Sequence, residues 1–498
     1  MPAMNEYSDS VAAQSAARGN VMTDTQNTEG MSELTKGATS RSCSRRQFLR
    51  MAGLSGAGLG LSAGLGGLLA ACGEETTTTT TSAGTTSSVA SSTTTVSSGP
   101  ETGDELRVGM VSTLTGSLAA FAGPDRYLVD RWKDIAADGI VCGDGKKHPI
   151  SILVEDSQSN TNRAAQVTGD LIQNSRVNLM VAGCSQDTTY PLADQCEAMG
   201  APSFTCDSIW EPWFFQRGGD PAVGFKWNYH VFFSIADSFT MYFAMWDKIP
   251  NNKTYGALWP NDAGGIAYRN AWPDLLAEKG WKLIDPGAFQ PGTEDYTAVI
   301  TALKQGGAEV CAGITSPPDF TNFWTQARQQ GYRPKICSIG IALNFPEAAN
   351  ALGDSAVGLT APTYWMPSFP YKSSLTGETC RELADDFEAT AERQWNQSLY
   401  HYCLIEVAVD TFKRATDPTK AESVLEALRT TKLDTIVGPI DFTAPVEAGT
   451  NHPNINCCRT PVVGSQWIKG TKWPYDMVVV SNTPFMDVPI EADMIVLQ

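Results

Sequence analysis

The strongest constraint in this sequence is a regular alternation of short apolar runs with longer amphipathic segments, which begins at Leu106. The apolar runs have the length of strands, and the segments between them repeat apolar residues with the period of a helix. Strands that alternate with helices of this length form parallel, doubly wound sheets, because each crossover between parallel strands needs a helix. The pattern therefore predicts an α/β fold.

The alternation occurs twice, and each series predicts four strands. The first series predicts strands at Leu106–Ser112, Ile150–Glu155, Val177–Ala182 and Ala201–Thr205, with helices at Tyr127–Ala137, Asn162–Asn174 and Leu192–Met199. After a helix at Ser238–Lys248, the second predicts strands at Tyr255–Trp259, Trp281–Asp285, Glu309–Ile314 and Lys335–Ile339, with helices at Ala267–Lys279, Tyr296–Gln305 and Phe320–Gln330. Two such series indicate two doubly wound parallel-sheet lobes. Three later helices are expected to pack across both lobes, at Arg381–Gln394, Leu404–Arg414 and Ala421–Arg429.

Residues 1–71 have the features of an N-terminal extension with an export signal. Residues 44–49 read S-R-R-Q-F-L, and 21 uncharged residues follow from Met51 to Ala71. Arg45 and Arg46 ahead of a weakly apolar stretch resemble a twin-arginine export signal. The stretch ends in L-A-A-C at residues 69–72, which resembles the lipobox of bacterial lipoproteins, where a thiol such as that of Cys72 receives the lipid. An ordinary signal peptide with a chance cysteine is the alternative.

A tether follows the export segment. Ser and Thr make up 18 of the 23 residues from 76 to 98, so this stretch has almost nothing apolar to bury. Residues 72–103 are therefore predicted to form a flexible tether that holds the folded body off a membrane.

Charge and motifs exclude several classes of function. The net charge of −18 argues against a nucleic-acid partner, which needs a concentrated basic surface. The ten cysteines outside the export segment show neither C-x-x-C pairs nor zinc spacing, so no metal or other cofactor is predicted. Cys196 and Cys206 are close enough in sequence for a local disulfide, and burial as small apolar side chains is the alternative. A G-x-S-x-G motif occurs at residues 60–64, inside the export segment, and the four histidines form no recognisable catalytic pair.

Several short motifs of the body together carry a resemblance to a known family. They are the strand and Leu-Thr-Gly loop at residues 106–116, Val154–Asp156, Ala182–Ser185, Trp259–Asp262, Pro318–Trp324 and Leu433–Pro439. On these motifs residues 104–480 resemble the branched-chain amino-acid-binding class of periplasmic binding proteins, the type I extracellular subunits of ABC importers. The resemblance implies two lobes joined by a three-crossing hinge. Lobe 1 would comprise residues 104–233 plus 363–436, and lobe 2 residues 234–362 plus 437–498.

Ligand-binding residues are expected beyond the carboxyl ends of the strands, where open parallel sheets bind ligands. In the first lobe these ends fall at residues 112–116, 183–186 and 205–210. The resemblance implies that Ser185 holds the carboxylate of the ligand, beside N–H groups of a helix that begins near Thr189. The alternative for Ser185 and Ser208 is helix capping or turn formation. Further polar contacts are expected from Thr115, Gln186, Asp207 and Ser208.

The second lobe departs from the family at two positions. The turn at residues 261–265 reads N-D-A-G-G and lacks the family tyrosine, and residues 340–342 lack the acid that pairs with an α-amine. These departures argue against a standard branched-chain amino acid as ligand. Asp262 and Asp319 are candidates for an anionic partner, or they are turn residues. Three aromatic residues are expected to line the cleft, where they would suit a ring-bearing or cationic ligand, with packing in the core as the alternative: Trp210, Tyr229 and Trp365.

The sequence therefore predicts an exported, lipid-anchored solute-binding subunit of an ABC importer on the outer face of the cell membrane. It is expected to capture a small polar ligand, an amino acid or a related amide or carboxylate compound, and to deliver it to a permease. The chain is expected not to be an enzyme. A ligand-presenting sensor subunit is the first alternative, and an exported envelope enzyme is the second.

Overall fold

The computed structural model describes residues 99–444 and 456–497. The predicted export motif at Arg45 and Arg46, the lipidation site Cys72 and the Ser/Thr-rich stretch up to residue 98 lie outside the described residues. Within the described ranges, no helix combines the length and the apolar content that crossing a bilayer requires.

The first lobe is built on a six-stranded parallel sheet. Four of its strands are the predicted apolar runs. Nearly all residues of Leu106–Ser112, Leu179–Ala182 and Ser203–Cys206 are buried, which explains why these runs are continuous, while the edge strand Ile150–Asp156 is half-buried. The spatial order is Cys457–Cys458, Asn228–Val231, Ser203–Cys206, Leu179–Ala182, Leu106–Ser112 and Ile150–Asp156. A separate two-stranded pair, Ile140–Val141 with Lys147–His148, precedes the edge strand.

The second lobe is built on a seven-stranded sheet in which five strands are parallel. Its order is Tyr475–Ser481, Val463–Lys469, Thr360–Thr363, Ile336–Ile341, Val310–Thr315, Thr254–Leu258 and Lys282–Ile284. The first two strands of that order run antiparallel to their neighbours, which the prediction of a purely parallel sheet missed. In each lobe the first major strand lies between the next two major strands along the chain, so both sheets have the same switch point.

The α-helices cover the faces of the sheets. Those before residue 250 are Asp125–Ile135, Thr161–Gln173, Ser185–Met199, Trp210–Phe215 and Ile235–Trp246. Those after it are Ala263–Glu278, Thr297–Gly306, Pro317–Gln329, Pro346–Leu352, Cys380–Ala391, Tyr402–Arg414 and Ala421–Arg429. Short 3₁₀ helices occur at Ala119–Ala122, Ala342–Asn344, Gly353–Ala356 and Gln397–His401, and a small antiparallel pair joins Lys432–Thr435 to Gly438–Asp441.

The chain passes between the lobes three times, as expected. The crossings follow the strands Asn228–Val231, Thr360–Thr363 and Cys457–Cys458, each of which ends a segment of one sheet before the chain enters the other lobe. One difference concerns residues 437–498, which were expected in lobe 2. Cys457–Cys458 instead pairs with His230–Val231 of the first sheet, so the third crossing comes after residue 458.

Each predicted strand and helix of the two series has a counterpart, but two details of the prediction are wrong. The helix predicted near Thr189 or Leu192 begins at Ser185, directly after the strand. The helices Tyr402–Arg414 and Ala421–Arg429 pack in the first lobe, while Cys380–Ala391 does reach the second lobe through Glu388. Of the two interpretations of Cys196 and Cys206, the structure shows burial as free thiols and no disulfide between them.

Gly313 provides a test of the second sheet. A Cβ at this position would lie 2.0 Å from the carbonyl oxygen of Leu258 on the paired strand, so only glycine permits this approach. We expect Gly313→Ala to lower the free energy of unfolding by about 1–3 kcal/mol because the backbones must separate. Urea denaturation measures this change.

Gly169→Ala is the matched control. Gly169 lies in the helix Thr161–Gln173, and a Cβ there would meet nothing within 4 Å. We expect a gain of about 0.5–1 kcal/mol from the better helix propensity of alanine. If both variants were equally stable, the close strand approach at Gly313 would be contradicted.

Candidate functional site

A cleft of about 810 Å³, partly open to solvent, lies between the carboxyl ends of the two sheets. Its walls include the ends of strands Ser203–Cys206 and Ile336–Ile341, and the start of helices Ser185–Met199 and Ala263–Glu278. Open parallel sheets bind ligands at these ends, next to the switch point.

Aromatic rings dominate the walls of the cleft, and they come from both lobes. The first lobe and its first crossing provide Phe121, Tyr190, Phe232 and Phe233. The second lobe provides Phe239, Tyr268 and Trp272, and the second crossing adds Tyr364. Such surfaces stack well against flat apolar groups and against cations.

Four of the ten predicted ligand-binding residues line this cleft: Ser185, Gln186, Asp207 and Ser208. Ser185 is buried, and its Oγ accepts a hydrogen bond from the N–H of Asp187 at 3.3 Å, so the helix-capping alternative is also present in the geometry. The Ser208 hydroxyl shares a 2.9 Å hydrogen bond with that of Thr189.

The other six predicted residues do not line the cleft. Thr115 is exposed and donates to Asp156 at 2.6 Å, whereas Trp210, Tyr229 and Trp365 are buried in packing contacts with other rings. Asp262 caps the helix Ala263–Glu278, and Asp319 accepts hydrogen bonds from Gly292 and Ser316. For these two carboxylates the structure therefore shows local capping and turn contacts.

A buried chain of charged groups supports the floor of the cleft. His401 lies between two carboxylates, with Nδ1 2.8 Å from Asp125 and Nε2 3.1 Å from Asp207. The Ser112 hydroxyl donates to Asp125 at 2.5 Å, and the Tyr364 hydroxyl donates to Asp207 at 3.3 Å. Since carboxylates accept from both ring nitrogens, the imidazole is held in its protonated form.

Electrostatics agree with that protonation state. Burial opposes a charged imidazole, but attraction by Asp125 and hydrogen bonds to both carboxylates raise the pKa of His401 to about 10. His230, also buried, has no carboxylate partner within the described part of the chain and bonds Thr205 and the Ser208 carbonyl, so burial lowers its pKa to about 3. Gly183 makes room for His401, because a Cβ on it would lie 2.2 Å from Nε2.

Backbone strain is concentrated where the strands end at the cleft. Four non-glycine residues there have positive φ angles: Cys184 (76°), Ser185 (36°), Asp207 (61°) and Ile341 (65°). Such conformations persist only where the surroundings impose them, and they cluster at functional sites. The site is therefore fixed by the fold at three strand ends.

The three crossings meet beside the cleft through aromatic contacts. The ring of Phe232 in the first crossing lies 4.8 Å from that of Tyr364 in the second and 5.5 Å from that of Tyr400. In the third crossing the Thr460 amide donates to the Phe232 carbonyl, and the Thr460 hydroxyl bonds that of Tyr400 at 2.7 Å. Because Phe232 and Tyr364 also line the cleft, the hinge and the site share side chains.

The lobes approach one another at the mouth of the cleft. A Cβ on Gly264 of the second lobe would lie 2.6 Å from the Gln186 amide nitrogen of the first lobe. Burial, and then repulsion by Asp262 across the mouth, raise the pKa of Asp187. Gln186 is therefore placed to contact both lobes.

Sequence reasoning missed the eight cleft aromatics, which come from both lobes and the crossings, and the polar residue Asn344, which lies in a 3₁₀ helix of the second lobe. It also missed the role of His401, whose partners are 276 and 194 residues away in the chain. The sequence feature that could have predicted this buried ion pair is an acidic residue directly after an apolar strand, such as Asp207. Among the described residues, no cluster of His, Cys, Asp and Glu is arranged to hold a metal ion.

Two lobes of like topology, three crossings and a cleft between the lobes define a binding protein of the two-lobed periplasmic class. A family model described as periplasmic binding protein matches residues 105–463, and the chain belongs to this family. The family is a solute-binding, extracytoplasmic type and is not an enzyme family.

Solved structures show the same fold. The leucine-binding protein LivK from Thermotoga maritima aligns with a TM-score of 0.61 at 17% identity, covering 76% of this chain and 99% of that one. LivJ from Streptococcus pneumoniae, in complex with isoleucine, aligns with a TM-score of 0.57 at 16% identity over 79% and 99%. A solute-binding protein of an ABC transporter from Rhodopseudomonas palustris, in complex with 3,4-dihydroxybenzoic acid, aligns with a TM-score of 0.59 at 14% identity over 76% and 99%.

The protonation of His401 can be measured directly because the chain has four histidines. In protein with ¹⁵N-labelled imidazoles, we expect His401 to show the shifts of a doubly protonated ring at pH 8 and to titrate near pH 10. His230 is the internal control and should be neutral at the same pH. A neutral His401 at pH 8 would contradict the two-carboxylate arrangement.

The His401 imidazole also makes the stability of the protein depend on pH within a defined range. Its folded pKa of about 10 lies above the ordinary value of 6.5, so its contribution is complete below pH 6.5 and lost as pH rises toward 10. We expect the free energy of unfolding to fall by up to about 1.4 kcal/mol per pH unit from this group. In the variant His401→Gln, this contribution to the pH dependence of the free energy of unfolding should disappear.

Proposed function

We propose that this protein is the extracytoplasmic solute-binding subunit of an ABC importer, which captures a small ligand between its lobes and delivers it to a permease. The observation that carries the proposal is the cleft itself, whose walls come from both lobes and from the crossings. A ligand that contacts both lobes favours the closed form, because only there are all its contacts made.

The chemistry of the cleft supports binding rather than catalysis. A general base must have a free lone pair, and both nitrogens of His401 face carboxylates. Burial is the main cause that raises the pKa of Cys184 well above its usual range, so this thiol is held as a poor nucleophile. Neither of these two groups beneath the cleft is therefore available as a general base or as a nucleophile.

The ligand proposed from the sequence is an amino acid or a related amide or carboxylate compound. Relatives of this fold are known with isoleucine and with 3,4-dihydroxybenzoic acid, so similar lobes enclose aliphatic and aromatic ligands. Ser185, Gln186 and Ser208 offer hydrogen bonds to an oxygen of such a ligand.

Closure on a ligand tests the proposal. A thermal-shift screen with amino acids, aromatic acids and amides identifies the solute, because a ligand of the native state raises the melting temperature. Small-angle scattering with saturating solute should then show a more compact body than without it. An unchanged profile would contradict binding between two moving lobes.

Ser185→Ala tests the predicted contact within the same experiment. We expect an affinity loss of about two- to tenfold for a hydrogen bond to an uncharged ligand oxygen, and of about ten- to a hundredfold for one to a carboxylate. Ser316→Ala is the matched control, because Ser316 caps the helix Pro317–Gln329 outside the cleft. It should lower stability and leave affinity unchanged, and the same pattern in Ser185→Ala would assign Ser185 to capping.

We also propose that Arg45 and Arg46 direct export and that Cys72 carries a lipid anchor. The support is the order of the twin-arginine motif, the apolar stretch, L-A-A-C and the Ser/Thr-rich segment in the sequence.

Cys72→Ser tests this anchor. We expect the variant to be released from the membrane or to remain unprocessed, because the thiol that accepts the lipid is gone. Cys43→Ser, which alters a cysteine of the same segment ahead of the arginine pair, is the control and should fractionate with the membrane. Equal membrane association of Cys72→Ser and the parent would refute the anchor.

A further inference from the structure

Among the residues that the structure describes, the cleft offers no positive side chain to a ligand. None of the described residues that line it is Lys, Arg or His. Arg217 lies near the lining residue Tyr190 but does not itself line the cleft. Its Nε pairs with Asp194 at 2.8 Å and its guanidinium lies over the rings of Trp213 and Phe225, while Nη1 and Nη2 have no hydrogen-bond partner among the described residues. A ligand carboxylate would therefore lack a cationic partner among the described side chains that line the cleft.

The environment of the cleft disfavours a negative charge. Asp207 lines the cleft, and Asp187 and Asp262 lie near its mouth. Burial is the main cause that raises the pKa of all three carboxyl groups. A ligand anion in the same site of low dielectric constant would meet the same opposition, so the cleft favours a neutral or cationic ligand.

One buried acceptor in the cleft has no donor. Asn344 is 4% exposed, lines the cleft, and its Oδ1 accepts no hydrogen bond from any described residue. An unsatisfied buried acceptor of this kind costs free energy until a donor reaches it. A ligand with an N–H or O–H group would satisfy Asn344, whereas a carboxylate would bring only further acceptors.

On these grounds we propose that the cleft binds a ring-bearing compound that carries no negative charge and donates a hydrogen bond to Asn344, such as an aromatic amide or amine. Eight aromatic side chains supply the surface for the ring. The inference rests on the proposed solute-binding function and narrows its ligand to one chemical class.

Ligands of matched shape and different charge show how the charge of a ligand affects its affinity for the cleft. We would titrate 3,4-dihydroxybenzamide against 3,4-dihydroxybenzoate, a pair of nearly identical shape, together with benzylamine and isoleucine. We expect the amide or the amine to bind at least about tenfold more tightly than the benzoate and isoleucine. Tighter binding of the benzoate or of isoleucine would overturn the proposed class.

A lack of binding distinguishes the two proposals. If neither the amide nor the amine bound at about 10 mM, the proposed ligand class would fail. The solute-binding function would still stand if another compound from the thermal-shift screen closed the cleft, and it would fail if none did. The ligand class and the solute-binding function therefore fail by different results.

Asn344→Leu tests the acceptor. We expect the affinity for the amide or amine to fall about two- to tenfold. The melting temperature of the free protein should change little, because the variant loses the hydrogen bond of the Asn344 amide with Tyr364 but also removes an unsatisfied acceptor. Asn482→Leu is the matched control outside the cleft, where a buried amide donates to the Val488 carbonyl at 2.8 Å. It should lower the melting temperature and leave affinity unchanged. An unchanged affinity in Asn344→Leu would overturn the role of Asn344.

Discussion

The contact on which the site depends is the ion pair of His401 with Asp125 and Asp207. It joins the helix that follows the first strand, the turn after the strand Ser203–Cys206, and the 3₁₀ helix Gln397–His401. The hydroxyl of Tyr364 connects the second crossing to the carboxylate of Asp207. Breaking a buried pair by removing one partner costs about 3–5 kcal/mol, so these segments are held together strongly.

The hinge and the cleft cannot change independently. Phe232 and Tyr364 lie in crossings, contact one another, and also face the ligand space. A change of the lobe angle therefore alters the wall of the cleft at these rings, and a ligand that stacks on them biases the angle. This coupling needs no contact path through the lobes, because the same side chains belong to both features.

Local patterns in the sequence predicted much of the fold. The strand Leu106–Ser112 was placed correctly because nearly every residue of it is buried, and a continuous apolar run reports such burial. The site was predicted only where it is local to strand ends, as at Ser185 and Asp207. Local patterns of this kind do not predict contacts between residues far apart in the sequence.

Trp210 and Trp365 were predicted to line the cleft, but both are buried against other aromatic rings. The sequence alone does not distinguish a tryptophan of the core from one in a binding site, because the difference lies in its tertiary contacts. The residues around Asn344 in the sequence show no pattern that predicts a binding site. Asn344 lines the cleft because the second sheet as a whole determines where the turn after its strand Ile336–Ile341 lies.

The ten described cysteines have a consequence for how the chain matures. All are free, and nine are buried, with Cys458 half-buried beside the third crossing. In an oxidising compartment an unfolded chain would expose these thiols to disulfide exchange, and pairing of thiols that the fold keeps apart would oppose folding. Cys311 and Cys337, which lie opposite each other on paired strands, are an exception. In the folded chain, burial protects the nine buried thiols from oxidation as long as the core stays closed.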